Sequence, residues 1–396
     1  MSKKRIGVMA GIVLLLAVGC GMVYGLGNHG KQNMDSAEEM ETWKDSYCSL
    51  SYTSYMEDGV LYIEGNETTD FIRYCDNSSS YDGIICSDKT CKHSGLDCMA
   101  ALSHGAGIAR RGDSLYFFSE DVNNEGVYGL FQSDLSGGNR KKQCEIKDVD
   151  WLLDVYYHKN WVFYSQCKLD SSDDNHRVVR VCGINLETQE EQLLYELDTT
   201  QAWTQGMTLD GDILYVAIDY SDATAEELLE HKDDLEFEGK HLQSKIIGIN
   251  YETGQEVLSV EGTASSRVFS VTQGKLICNK VQGVGLYCYD LDTLQCRSIS
   301  DRDDTAIYSD SDSYVYYSYY DNSDGKGACV YRQYDVKKDR WTTLSERDAY
   351  YSALVGKQAY GEMVSEDGKV GGKVHLSEED FLQGKFENES SYERIH

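Results

Sequence analysis

The chain has 396 residues, of which 67 are acidic and 37 are basic, and its formal net charge at pH 7 is −30. A surface this acidic repels phosphate backbones, and the sequence contains no cluster of lysines and arginines that could attract them, so nucleic acid is excluded as a partner. Proline is absent, and turns must therefore depend on Gly, Asn, Asp and Ser.

The chain begins with MSKKRIGVMAGIVLLLAVGC, in which three basic residues precede an uncharged apolar run. This is the layout of an export signal, and the final AVGC resembles the lipobox of bacterial lipoproteins. The resemblance implies a lipoprotein signal peptide over residues 1–20, with Cys20 as the lipidated residue. Residues 6–26 are also long enough for a membrane span, so an uncleaved transmembrane anchor is the alternative. Both place the rest of the chain on the extracytoplasmic face of the bacterial cell membrane, joined to its anchor by a flexible tether over residues 21–45.

Between residues 46 and 396, a tight turn followed by an alternating apolar strand recurs seven times, at intervals of 38 to 63 residues. The copies are EDGVLYIEG, RGDSLYFFSE, HKNWVFYSQ, DGDILYVAID, QGKLICNKV, SDSYVYYSYY and VGKQAYGEMV. A second element of strand, turn and strand, such as GINYETG, follows most copies. Short turns between alternating strands are hairpin signals, and four strands repeated at this period are typical of propeller blades. We therefore predict an all-β fold, a single β-propeller with about seven four-stranded blades.

The stretch CSDKTCKHSGLDC, residues 86–98, falls between the outer strand of the first repeat and the inner strand of the second, so we expect it to form the crossover between two blades. Three thiolates and an imidazole could complete a tetrahedral zinc shell, and the ligands would be Cys86, Cys91, His93 and Cys98. Twelve of the thirteen cysteines remain when Cys20 is set aside, and disulfides are the default in an exported chain. Disulfides with Cys48 or Cys75 as the extra partner, a metal site and free thiols therefore stay open.

The first strands of the third and fourth repeats carry Trp151 and Trp203. We expect both near the central channel, where they are candidate ligand contacts, although packing between blades is the alternative. In the fourth repeat, TAEELLEHKDD matches a capping box with Thr224 and Glu227, which predicts a short helical insertion near residues 222–240. SEEDFLQGKF near the C-terminus predicts a second short helix.

In CNKVQGVGLYC, a turn centred on Gly283 is expected to place Cys278 opposite Cys288, within disulfide range. Two packed thiols are the alternative. The topology of a blade puts its longer connections on one face, and several of these connections are acidic. Carboxylates there could bind calcium, which takes six to eight oxygen ligands, or could be solvated loop charge; the candidates are Asp301, Asp303, Asp304, Asp321 and Asp324.

The segment GIICSDKTCKHSGLDCMA, together with repeats of the LYCYDLDT type, resembles the exported Cys-motif β-propeller lipoproteins of Gram-positive anaerobic bacteria. Those families are mostly of unknown function. The resemblance implies the fold and the location and implies no activity.

No Ser/His/Asp arrangement, paired-carboxylate motif or phosphate-binding glycine loop stands out in the sequence. We therefore predict a membrane-anchored, extracytoplasmic binding module for a protein or glycan ligand, without catalysis. One alternative is a cell-surface glycan-active or other propeller enzyme, which needs carboxylates that converge on the channel mouth. Another is a scaffold subunit of an envelope complex, which needs a broad apolar patch.

Overall fold

Strands make up most of the chain that the computed structural model describes. The predicted signal peptide or span, the tether and Cys20 lie outside the described residues and stay predictions. Within the described part, no helix combines the length and hydrophobicity needed to cross a bilayer. The described residues are 47–49, 52–65, 69–121, 124–147, 149–170, 173–231, 234–262, 269–279, 285–302, 304–309, 311, 313–321, 328–347, 349–364 and 370–394.

Seven four-stranded blades follow one another along the chain, each with its strands paired antiparallel in sequence order. A short strand, β1 (Tyr47–Ser49), precedes them. Blade one contains β2 (Thr53–Met56), β3 (Gly59–Gly65), β4 (Asp70–Asp76) and β5 (Tyr81–Ile84), with β6 (Ala101–Leu102) beside β4. Blades two to four contain β7 (Ala106–Arg111), β8 (Ser114–Asp121), β9 (Asn124–Asp134), β10 (Lys141–Ile146), β11 (Trp151–His158), β12 (Trp161–Asp170), β13 (Asp173–Asn185), β14 (Glu190–Thr199), β15 (Ala202–Asp210), β16 (Ile213–Ser221), β17 (Leu242–Asn250) and β18 (Gln255–Glu261). Blades five to seven contain β19 (Phe269–Thr272), β20 (Lys275–Cys278), β21 (Tyr287–Asp290), β22 (Cys296–Ser298), β23 (Thr305–Ser309), β24 (Tyr314–Asp321), β25 (Ala328–Asp335), β26 (Arg340–Arg347), β27 (Ala349–Val355), β28 (Gln358–Val364), β29 (Val370–Ser377) and β30 (Ser390–Ser391).

The predicted all-β propeller with about seven blades is confirmed. Each sequence copy supplies the tight turn and the second strand of one blade. In blade four, Asp210 pairs with Ile213 across a two-residue turn, and Gly211 in that turn has a φ of 60°. Hairpins of this length need a positive φ, which glycine adopts without a steric penalty, so the chain makes its turns without proline.

The apolar core lies between the faces of neighbouring blades. One cluster joins blades three and four and includes Phe163, Val181, Leu214, Val216 and Tyr251, each buried. Six successive residues of β16 are buried, so neighbouring blades cover both faces of this strand. A single blade cannot cover its own two faces, and the stability of each blade therefore depends on its neighbours in the ring.

Strand β1 lies inside the ring, because it pairs with the innermost strands of both blade one and blade three. The innermost strands of blades six and seven also pair directly with each other, in parallel. In the described part of the chain, backbone therefore occupies the channel next to blades one and three.

The C-terminal segment closes the ring. Strand β31 (Glu393–Arg394) pairs in parallel with β5 of blade one, whereas β30 pairs with β29 of blade seven. Between these two strands, Tyr392 is 7% exposed, and its hydroxyl donates to Oδ1 of Asn77 in blade one. Nδ2 of Asn77 donates to the hydroxyl of Tyr360 in blade seven at 2.7 Å. Residues from both ends of the propeller thus form the seam between these blades.

Three short helices interrupt the sheets of the described chain. The first two, α1 (Ala225–Glu230) and α2 (Leu235–His241), lie between β16 and β17. Thr224 and Glu227 form the predicted capping box at the start of α1, so the helical insertion near residues 222–240 is confirmed. Helix α3 (Glu378–Gln383) follows β29, as the sequence predicts, and a 3₁₀ turn spans Phe386–Asn388.

We expect His375 to make the fold less stable as the pH falls. It is half-buried on β29, and its ring stacks on Tyr392 at a centroid distance of 4.9 Å. Burial lowers the pKa of His375 below its ordinary value, so the folded chain favours the neutral ring. The stability that this preference contributes is complete above the unfolded-state pKa of about 6.5 and is lost as the pH falls below it.

Thermal unfolding between about pH 8 and pH 5 measures this effect. The fall in the unfolding midpoint is expected to shrink in His375→Phe, which keeps an aromatic ring but cannot take up a proton. The matched variant at an exposed histidine, His104→Phe, should keep the wild-type pH dependence. An unchanged pH dependence in His375→Phe would contradict this assignment.

Candidate metal centre and channel cavity

The cysteine and histidine stretch leaves blade one from within its outer strand. Strand β5 ends at Ile84, opposite Arg73 of β4, and β6 then resumes pairing with the same strand at Asp70 and Phe71. Residues 85–100, which we call the excursion, therefore interrupt the outer strand. The prediction that they form the crossover between blades was wrong, because β5 covers only four residues of the longer β4 and leaves the rest of that edge for β6.

Two tight turns bring the cysteines of the excursion inward. In the first, Oδ1 of Asp88 accepts hydrogen bonds from the backbone N–H and the hydroxyl of Thr90 at 2.8 and 2.7 Å, and the Cys91 N–H donates to the Asp88 carbonyl at 3.1 Å. In the second, the Cys98 N–H donates to the Gly95 carbonyl at 3.1 Å. Each turn ends on a cysteine, so the backbone fixes where both sulfurs lie.

The four predicted ligands come together. One ligand atom from each of them lies within 4.8 Å of all the others, and no other group of three or more potential metal ligands occurs among the described residues. Nδ1 of His93 is 3.4 Å from Sγ of Cys98, and the His93 N–H donates to Sγ of Cys91 at 3.4 Å. Cys86 and Cys91 are half-buried, and Cys98 is buried. The grouping can bind a thiophilic metal ion.

The surroundings of Cys98 oppose a free thiolate at that residue. The pKa of the Cys98 thiol is raised to about 12, first by burial and then by the nearby sulfurs of Cys91 and Cys86, against the effect of the Ala100 N–H, which lowers it. A bound cation reverses this balance, since thiols that coordinate a metal ion are deprotonated.

The excursion also contacts blade two. The guanidinium of Arg140 donates to the Met99 carbonyl and lies 5.3 Å from the centre of the Phe117 ring. Gly137 has a φ of 76°, and a Cβ atom at this position would lie 2.6 Å from the Met99 carbonyl oxygen. The turn of blade two therefore accommodates the excursion closely, and only a glycine fits there.

The predicted opposition of Cys278 and Cys288 was wrong. The register of β20 and β21 pairs Cys278 with Tyr287 and pairs Cys288 with Ile277. A shift of one residue turns the two side chains to opposite faces of the sheet. Accordingly, Cys278 packs in the cluster that includes Ala217 and Ile246 of blade four, whereas Cys288 packs in a different cluster that faces blade six.

Asp301, Asp304 and Asp321, the proposed calcium ligands that the structure describes, do not form a group. Asp303 and Asp324 lie outside the described residues. Asp301 is exposed, Asp321 is half-buried at the end of β24, and Asp304 is buried. Nη1 of Arg332 lies 3.0 Å from Oδ2 of Asp304, so this carboxylate is paired inside the protein. Burial raises the pKa of Asp304, while hydrogen bonds from Ser300 and Arg332 act in the opposite direction.

A second candidate site is a cavity of about 240 Å³ in the central channel. Its walls are the innermost strands of blades one, four, five, six and seven, together with Ser311 and the start of β24 in blade six. Among its sixteen lining residues, ten carry a hydroxyl group, and in the described part of the chain none of the lining residues is charged or a histidine. The hydroxyl-bearing residues include Tyr55, Thr208, Thr305, Tyr308, Tyr314 and Ser352. The cavity can therefore hydrogen-bond a neutral polar ligand.

The two predicted tryptophan contacts lie elsewhere. Both are on innermost strands, as expected, but neither lines the cavity. Trp151 is 48% exposed, with the Arg177 guanidinium 5.9 Å from the centre of its ring. Trp203 is half-buried and pairs with Asp219 on the next strand.

The residues that line the cavity were missed from the sequence. Their signal is a serine, threonine or tyrosine on the first strand of a repeat, as in TSYM of β2 and TAIYS of β23. Such residues are common in strands for other reasons, so the signal becomes specific only when the ring brings these strands together.

The sequence matches no family model and no curated protein. Similar solved structures include puromycin hydrolase, at 10% identity and a TM-score of 0.56, over 84% of this chain and 52% of that chain. Another is the acylaminoacyl peptidase of Pyrococcus horikoshii, at 10% identity and a TM-score of 0.50, over 84% of this chain and 51% of that chain. The β-propeller domain of the trilobed protease of Pyrococcus furiosus has 11% identity and a TM-score of 0.48, over 84% of this chain and 96% of that chain. This chain spans about half the length of the hydrolase and the peptidase, and the likeness shows the β-propeller fold alone.

Proposed function

We propose that this protein is a membrane-anchored, extracytoplasmic binding propeller whose channel cavity binds an uncharged glycan end. The observation that carries the proposal is the chemistry of the cavity. The chain has a net charge of −30, yet the described residues that line the cavity are hydroxyl-bearing, amide or apolar. The N-terminal sequence supports the anchor and the location.

Hydroxyl groups and aromatic rings are suited to a sugar. A hydroxyl both donates and accepts hydrogen bonds, and a tyrosine presents an apolar ring together with a polar tip. Tyr55, Tyr308 and Tyr314 supply both properties to the cavity. Its volume of about 240 Å³ is below the range of roughly 300–1,000 Å³ that is usual for drug-sized ligands, which favours a terminal ring over a longer chain.

Glycan hydrolysis needs two carboxyl groups on opposite sides of the scissile bond. Two carboxylates of the described chain that lie close to the cavity wall are buried: Asp219 is 1% exposed and Asp154 is 4% exposed. Oδ2 of Asp219 accepts a hydrogen bond from Gln205 at 3.0 Å, and Oδ2 of Asp154 accepts one from Thr204 at 2.6 Å. Neither lines the cavity, so the geometry favours binding over cleavage.

We expect the double variant Thr208→Val/Thr305→Val to bind its glycan about 5- to 150-fold more weakly, which corresponds to the loss of two hydrogen bonds worth ~1–3 kcal/mol together. The substitutions keep the shape of both side chains and remove one hydroxyl each from blades four and six. A glycan array of neutral and acidic sugars would select the ligand, and titration calorimetry would compare the variants.

The matched control is Thr342→Val, which removes an exposed hydroxyl from the outermost strand of blade six and should leave the affinity unchanged. Because no charge lines the described cavity wall, added salt should also change the affinity little. Binding of acidic glycans alone, binding of no glycan, or an undiminished affinity of the double variant would contradict the proposal.

A further inference from the structure

We propose that Cys86, Cys91, His93 and Cys98 bind one zinc ion that fixes the excursion to the edge of blade one. This site is separate from the channel cavity and does not depend on the proposed glycan binding. The evidence is the geometry of the four ligands, the pairing partners left for the cysteines, and the backbone of His93.

The donor set and its spacing match tetrahedral zinc. With Zn–S bonds of about 2.3 Å and a Zn–N bond of about 2.0–2.1 Å, the ligand atoms of such a site lie roughly 3.6–3.8 Å from one another. The four ligand atoms here lie within 4.8 Å of one another, and Nδ1 of His93 is 3.4 Å from Sγ of Cys98. Three sulfurs and one nitrogen favour zinc over calcium or magnesium, which prefer oxygen ligands.

Pairing all three cysteines of the excursion in disulfides would need a fourth cysteine, and the fold keeps both candidates, Cys48 and Cys75, away. Cys75 packs in the cluster that contains Ala353 and Tyr360 of blade seven, and it is not part of the ligand group. Cys48 lies on β1, which pairs with the inner edge of blade one, whereas the excursion leaves the outer edge. Four strand spacings, about 19 Å in total, separate β1 from β5. The backbone of Cys48 is therefore too far from the outer edge for a disulfide with the excursion.

Only one residue separates Cys91 from His93, a spacing that would ordinarily crowd two ligands of one metal ion. The backbone conformation of His93 removes this crowding. His93 has a φ of 48°, in the left-handed region that few non-glycine residues adopt. In this conformation its N–H donates to Sγ of Cys91 at 3.4 Å, while its ring turns towards Cys98. The N–H bond stabilises a ligating sulfur, and the ring completes the fourth corner of the site.

The site is closed, with four protein ligands and no corner left for water, which is typical of structural zinc rather than catalytic zinc. Binding of Zn²⁺ would release three thiol protons to solvent and leave the centre with a charge of −1. The excursion contributes only Cys98 and Ala100 to the buried residues of its cluster, beside Ala101 of β6. Because the excursion buries so little apolar surface, a bound ion supplies the stabilisation that holds it in place.

The test is metal analysis of the full chain, purified without chelator or reductant. Mass spectrometric elemental analysis is expected to find about one zinc per chain, and cobalt exchanged into the site should show the strong visible bands of tetrahedral thiolate coordination. His93→Ala should reduce bound zinc from about one per chain to background. His93 lies on a half-buried loop, so its replacement should leave the circular dichroism of the sheets unchanged.

Two variants serve as matched controls. His104→Ala changes an exposed histidine just beyond the excursion that also has a positive φ, of 47°, and Cys296→Ser removes an exposed cysteine. Both should retain zinc. Hydrogen exchange should quicken in residues 85–100 when a chelator removes the metal. The proposal is overturned by a preparation without metal in which Cys86, Cys91 or Cys98 form disulfides, or by undiminished zinc in His93→Ala.

Discussion

Replacing Asp304 with alanine is expected to destabilise the folded chain by about 3–5 kcal/mol, the usual result of breaking a buried ion pair. The Asp304 side chain is fully buried and that of Arg332 is 13% exposed. Ser300 donates a second hydrogen bond to the carboxylate at 2.8 Å. Without the carboxylate, the guanidinium keeps its contact with the Trp341 ring at 4.0 Å but loses the opposite charge that offsets its burial.

Denaturant unfolding measures this loss. The control is Glu236→Ala, which removes one partner of an exposed ion pair. The side chains of Lys240 and Glu236 are 67% and 81% exposed, so little or no loss of stability is expected. The double variant Asp304→Ala/Arg332→Leu should recover much of the stability, because no unpaired charge then remains buried. Equal losses in Asp304→Ala and Glu236→Ala would contradict the buried pair.

Replacing Tyr392 with alanine is expected to destabilise the ring by about 3–5 kcal/mol, as is usual when a large buried aromatic side chain is removed. Tyr392 packs with Val60 of blade one and Val355 of blade seven. Its hydroxyl donates to Oδ1 of Asn77, and its backbone N–H donates to the carbonyl oxygen of Lys373 at 3.2 Å. One residue thus joins the first and last blades.

Tyr392→Phe keeps the ring and removes one hydrogen bond, so it should lose only about 0.5–1.5 kcal/mol. The matched control is Tyr320→Ala, because Tyr320 is 59% exposed on a strand of blade six, and a surface substitution of this kind changes stability by about 0.5 kcal/mol or less. All three are compared by denaturant unfolding. A loss in Tyr392→Ala no larger than that in Tyr320→Ala would show that the C-terminal segment does not hold the seam.

The fold could be predicted because its signals are local and repeated. Turns such as Asp-Gly-Asp at residues 210–212 and the apolar strands that follow them mark each blade without any knowledge of its neighbours. The capping box at Thr224 is equally local. A seven-fold repetition of one weak signal compensates for the low information in each copy.

The site was harder to predict because its geometry depends on register and on contacts between distant strands. The sequence does not show that Ala101 returns to the strand that Ile84 leaves, so the excursion was taken for a crossover. One residue of register decided whether Cys278 faces Cys288. Asp304 was grouped with its acidic neighbours because its partner, Arg332, lies two strands away in blade six. The four ligands of the excursion were identified because they lie within thirteen residues of one another.

The central claim is that an uncharged glycan binds in the channel cavity, and a crystal structure with the neutral glycan selected on the array tests it most directly. The account predicts electron density for a sugar ring between the inner strands of blade one and blades four to seven, within hydrogen-bond distance of Thr208 and Thr305. Density for the glycan on the acidic loops or on the excursion, with the cavity holding water alone, would contradict it.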